Sequence, residues 1–114
     1  MNGCITIELG GKNRSIRFGM LAYENLLTTV QEDDGKVKST AKVIYAGLLN
    51  AAEVMSTPID FTFSDVYGWI DDLMCTNEGN VKIIEIEKCF EQSNMYQNIL
   101  KPHVEKKSEK SQTQ

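Results

Sequence analysis

The chain has 114 residues, enough for one domain but not for a second core. It is 41% apolar and 25% charged, the balance of an ordinary globular chain. The formal charge of −4 is unevenly spread, because no Lys or Arg occurs from Val43 to Val81. That stretch holds Glu53, Asp60, Asp65, Asp71, Asp72 and Glu78, so it repels phosphate and makes nucleic acid a poor partner. An acidic stretch of this kind is either a solvated face or a docking face for a basic partner.

No apolar run approaches the ~20 residues of a membrane span. The opening MNGCITIELGGK lacks a basic region leading into an apolar core, which predicts a protein kept in the cytosol. Cys4, Cys75 and Cys89 are odd in number and form no CxxC pair, which argues against a disulfide framework or a zinc site.

Taken in chain order, Ile5, Ile7 and Leu9 alternate on one side of a strand, and Ile16 and Phe18 do so on the return. Gly10-Gly11-Lys12-Asn13 between them can supply the positive φ angles of a tight hairpin loop. A hairpin alone is marginal, so its apolar face needs cover from the helices that follow. The first helix is expected over about 19–32, with Met20, Tyr23, Leu26, Leu27 and Val30 as its apolar stripe and Leu21 among the polar positions. Asp33-Asp34-Gly35-Lys36 breaks it.

A second helix is expected over about 40–55. Val43, Ile44, Tyr45, Leu48, Leu49, Val54 and Met55 surround nearly all of it, leaving a polar wedge of Lys42, Asn50 and Glu53, as suits a central element. Pro58 biases Thr57 away from helical angles. Thr62, with Asp65 three residues on, has the form of a capping box and starts a third helix over about 64–75. Val66, Tyr67, Trp69, Ile70, Leu73 and Met74 lie on one side of it. Asp71 and Asp72 lie on the other, near the end where acidic groups oppose the helix dipole. Asn77-Glu78-Gly79-Asn80 reads as a turn before a fourth helix over about 81–100, whose apolar set is Ile84, Ile86, Cys89, Phe90, Met95, Tyr96, Ile99 and Leu100. From Lys101 the chain is almost devoid of apolar residues, and a disordered tail is expected over 101–114.

The expected fold is therefore α+β and mainly α: one domain over 1–100, with an N-terminal hairpin (4–18) packed on a bundle of about four helices. No catalytic constellation emerges, and neither a cofactor nor a metal is called for. The only histidine, His103, falls at the edge of the tail. Asp71 and Asp72 are adjacent, so their side chains diverge by about 100° and cannot share a proton. Gly10-Gly11 precedes a strand rather than a helix N-terminus, so it is no phosphate loop.

Three segments, IRFGMLAYENL, VIYAGLLNAAEV and DFTFSDVYGWIDDL, resemble in their order and spacing the tail assembly chaperones of long-tailed bacteriophages and prophages. Ile44 to Leu48 look like that family's I-x-A-G-L turn. Phe61 to Leu73 look like its T-x-E/D-D-V-x-x-W-I/V-D/E helix, and the likeness covers roughly residues 5 to 75. The resemblance implies a non-catalytic helical protein in the cytoplasm of a bacterial host. It would bind the tape measure protein as an amphipathic helix and help deliver tail tube protein. Leu21 and Tyr23 on the first helix, and Tyr67, Trp69 and Ile70 with the Asp71-Asp72 pair on the third, are the partner-facing candidates that follow, with core packing as the plain alternative for the apolar ones. A structural virion component, such as a head–tail connector or tube-associated protein, is the second reading. The helix faces permit a monomer, a dimer or a ring.

Overall fold

The alternation near the N-terminus closes as a two-stranded antiparallel sheet, β1 (Cys4–Leu9) and β2 (Lys12–Arg17), in register from Cys4↔Arg17 to Leu9↔Lys12. The computed structural model describes residues 3–102. Gly10 and Gly11 take φ of 61° and 85°, the two positive angles that a two-residue hairpin turn requires. Ile7, Leu9, Ile16 and Phe18 are buried on the inner face. The helices are α1 (Met20–Thr29), α2 (Lys36–Met55), α3 (Phe63–Met74) and α4 (Asn77–Gln92), followed by a π-helical segment, Tyr96–Leu100. The fold is thus α+β and mainly α, as expected.

Helix α2 is the hub. It packs on β2, α1 and α3, while α4 packs on α3, β1 and the π-helical segment. Small residues make this possible: Ala41, Ala46 and Ala51 are buried along α2, and Gly47 lets the hairpin press in. A Cβ at Gly47 would stand 2.5 Å from Ile16 Cγ2 and 2.8 Å from Phe18 Cε1. Beyond the hub, Val66 and Ile70 of α3 and Ile83, Ile86 and Cys89 of α4 complete one core with Met95. Each fully buried isoleucine in this cluster contributes on the order of 1.5–3 kcal/mol.

Four expectations need correction. Helix α1 ends at Thr29, and its buried residues are Ala22 and Leu26, whereas Met20, Leu27 and Val30 are exposed. The physical reason lies in α2: Asn50, read as part of a polar wedge, is only 3% exposed. Its Oδ1 accepts from Gly19 N (2.9 Å) and Ala22 N (3.1 Å), which turns the Ala22 face inward. Helix α2 starts at Lys36, a turn before Thr40, because Asp34 lies at its N-terminus and draws in Lys38 and Lys42. The Lys42 ammonium holds the Asp34 carboxyl below its usual range and also donates to the carbonyl of Thr29, closing the α1–α2 loop.

The third correction concerns 77–80, which is the first turn of α4 rather than a loop. Thr76 caps it, accepting from Gly79 N at 2.9 Å. The buried isoleucine there is Ile83, and Ile84 faces solvent. Fourth, the helix expected over 81–100 is split at Ser93, which is fully buried. Ser93 Oγ donates to Phe90 O (2.6 Å) and accepts from Tyr96 N (3.1 Å), ending one helix and starting the next turn. Lys101 and Pro102, placed in the expected tail, continue that helix, and the rest of the tail with His103 lies outside the described residues. Helix α3 begins as its sequence predicts: Thr62 Oγ1 accepts from Asp65 N (3.2 Å), and Asp65 Oδ2 accepts from Thr62 N (2.9 Å).

Candidate partner-binding surfaces

Gly19 offers α1 no side-chain cap, so Asn50 supplies the acceptor from the neighbouring helix and thereby sets the rotation of α1. With Ala22 and Leu26 inward, Met20 (50% exposed), Leu21 (41%) and Leu27 (52%) are left on the outside. Met20 and Leu27 are seven positions apart and lie within about 20° of one another around the helix, while Leu21 sits on its flank. Val30, just past the C-terminus, is exposed as well. Three large apolar side chains on ten helical residues are more than scattered surface leucines account for.

The other sequence-derived candidates separate. Tyr23 is half-buried against the core. Tyr67 is exposed, with its ring 6.2 Å from that of Phe63. Ile70 is fully buried, so packing takes all of its surface. Asp71 and Asp72 are exposed and form no salt bridge among the described residues. Because α1 and α3 each pack on α2 and make no substantial contact with one another, the candidates do not form one site.

Trp69 is half-buried and holds the hairpin. A Cβ at Gly10 would lie 2.3 Å from its indole, so the turn rests directly on the ring. The Arg14 guanidinium stands 4.5 Å above the same ring and 5.5 Å from Phe61, a cation–π arrangement worth about 0.5–2 kcal/mol. Arg14 also donates from Nε to Leu9 O (2.8 Å) and pairs with Asp60 (2.8 Å). Lys12 reaches the other oxygen of Asp60 at 2.6 Å. Asp60 is presented by the chain leaving α2, where Ser56 takes the left-handed conformation (φ 54°) and Pro58 follows.

Two recesses flank β2. One of about 410 Å³ is lined by Lys12 to Ser15 together with Ala51, Met55, Pro58 and Phe61. The other, of about 250 Å³, is lined by Cys4 to Thr6 of β1, Ser15 to Arg17 of β2, and Ala51, Val54 and Met55. Ser15, Ala51 and Met55 belong to both, so the recesses are neighbours. Val54, Met55 and Ile59 are exposed around them. Nothing in the sequence periodicity marks this region, since its character comes from how α2 crosses the hairpin.

The Lys12 and Arg14 hydrogen bonds hold the Asp60 carboxyl at about 2, against an ordinary 3.8. The unfolded chain therefore takes up this proton at a higher pH than the folded one. The stabilisation is complete above pH 4 and is lost as pH falls toward 2. Thermal unfolding should show the native chain more stable than Asp60→Asn at pH 6. The difference should close between pH 4 and 2 and shrink in high salt, because the pair is exposed. A pH-independent difference would refute the assignment.

Among the described residues, no three His, Cys, Asp or Glu side chains are placed to hold a metal ion, and no helix is long and apolar enough to cross a membrane. Burial pushes the Cys89 thiol up, which keeps it protonated, and Cys75 is exposed. Comparison with protein-family models, with curated proteins and with solved structures finds no match.

Proposed function

We propose that this chain is a non-catalytic tail assembly chaperone of a long-tailed phage or prophage. In this reading it acts in the cytoplasm of the bacterial host by holding an apolar helical segment of the tape measure protein while tail tube protein is delivered. The observation that carries the reading is the outer face of α1, where Met20, Leu21 and Leu27 stand exposed on a helix fixed from behind by Asn50. Met20 and Leu27, nearly in line on the exposed face, with Leu21 on its flank, offer an apolar seat to an amphipathic helix, which meets it through positions three and four apart. The acidic body suits a partner with basic flanks, and Tyr67, Asp71 and Asp72 on α3 are secondary contact candidates.

Co-expression with a tape measure protein encoded beside this chain tests the reading. The expected result is a soluble complex where the tape measure protein alone precipitates. Leu27→Glu and Leu21→Ala should each weaken the complex by about tenfold or more with the fold intact, since burying one such side chain is worth more than 1.4 kcal/mol. No complex, or a complex indifferent to both substitutions, would refute the reading. Finding the chain in mature virions would favour a structural component instead.

A further inference from the structure

Among the described residues the sheet has two strands, so β2 has one edge that no other described strand covers. In a hairpin closed by a two-residue turn, the pair flanking the turn is hydrogen-bonded and the pattern alternates outward. Leu9↔Lys12, Ile7↔Arg14 and Ile5↔Ile16 are therefore the bonded pairs. Asn13, Ser15 and Arg17 aim their backbone N–H and C=O groups away from β1. None of these groups has a hydrogen-bond partner among the described residues. The other strand is flanked by α4, and Glu8 meets Lys82 at 3.7 Å. The larger recess is lined on the sheet side by Lys12 to Ser15 of β2, and the smaller one by residues of both strands; Ala51, Val54 and Met55 of α2 form their apolar wall.

We propose that the open edge of β2 accepts an extended segment of a partner chain as a third strand, with apolar residues alternating with acidic ones. Its backbone pairs with Asn13, Ser15 and Arg17. Its apolar side chains, on the face that Ile16 shares, rest on Ala51, Val54 and Met55, and its carboxylates, on the opposite face of the pleat, meet Arg17. The charges choose the occupant. β2 carries Lys12, Arg14 and Arg17; Asp60 answers the first two, whereas Arg17 has no ion pair among the described residues. Two copies of β2 set edge to edge would bring these cations together, which disfavours self-pairing. An acidic strand would neutralise Arg17, the cation that Asp60 does not reach. The surface is separate from the outer face of α1, and the proposal holds whether or not that face binds a tape measure protein.

The test uses the full chain, isotope-labelled for amide NMR, with short synthetic peptides alternating valine with glutamate or valine with lysine. The glutamate peptide should slow hydrogen exchange at Asn13, Ser15 and Arg17 by about tenfold or more and bind at least about tenfold more tightly than the lysine peptide. Ser15→Pro removes one outward N–H while leaving the β1 pairing in place, as an edge strand tolerates. It should abolish binding while the Arg14 and Ile16 amides stay protected. Should that variant fail to fold, Arg17→Glu should reverse the preference toward the lysine peptide. Binding without protection at the three amides, equal affinity for both peptides, or no binding at millimolar concentration would overturn the proposal. So would dimerisation of the chain through this edge, seen by sedimentation and lost in Ser15→Pro, which would make a second copy the occupant.

Discussion

Replacing Gly79 with alanine should destabilise the protein by roughly 3 kcal/mol or more, lowering the melting temperature by roughly 10–20 °C. In an exposed helix the same change would stabilise by about 1 kcal/mol. The sign reverses because Gly79 packs against the end of α3. A Cβ there would stand 2.0 Å from the carbonyl oxygen of Leu73 and 2.6 Å from its carbonyl carbon and Cα. These are backbone atoms and cannot swing aside as the tip of a side chain does. The same carbonyl accepts from Thr76 N at 3.3 Å, and Thr76 in turn caps α4, so moving Leu73 disturbs both helix ends. Circular dichroism melting decides the matter: an unchanged or raised midpoint in Gly79→Ala would refute the packing described here.

The second large effect is expected at Asn50. Asn50→Leu keeps the same branching at Cγ and adds apolar surface, yet it should cost about 2–4 kcal/mol. It leaves the Gly19 and Ala22 N–H groups without an acceptor, at about 1–3 kcal/mol per orphaned buried donor. Helix α1 has ten residues, too few to hold its shape without tertiary support. Amide exchange should therefore accelerate first at Gly19 and Ala22 and then through α1. If the proposed function holds, loss of tape measure binding should accompany it, since the exposed face of α1 depends on the helix being held. A uniform loss of protection across the whole domain would instead mean that Asn50 supports the core at large.

The parts of this fold that are legible in the sequence are those decided locally. The hairpin follows from alternating Ile5, Ile7 and Leu9 with Gly10-Gly11, and the start of α3 follows from Thr62 and Asp65. The rotation of α1 was not legible. Met20, Leu27 and Val30 are more apolar than Ala22, but the small side chain lets α2 approach and Asn50 bonds the backbone behind it. Gly79 within Asn-Glu-Gly-Asn reads as a turn signal, whereas its role is to leave room for Leu73. Of the candidate partner residues, Leu21 is on the surface as expected and Ile70 is in the core, because periodicity identifies an apolar face without saying which residues on it remain uncovered. The open edge of β2 is a matter of strand count, which no single strand's sequence encodes.

Trp69 is the chain's single tryptophan, and it sits at the seam between Gly10, Arg14 and Phe61. Its emission is consequently a native optical signal of one event, the seating of the hairpin on α3. No label is needed to follow that seam, and it can be read separately from the helical content reported by circular dichroism.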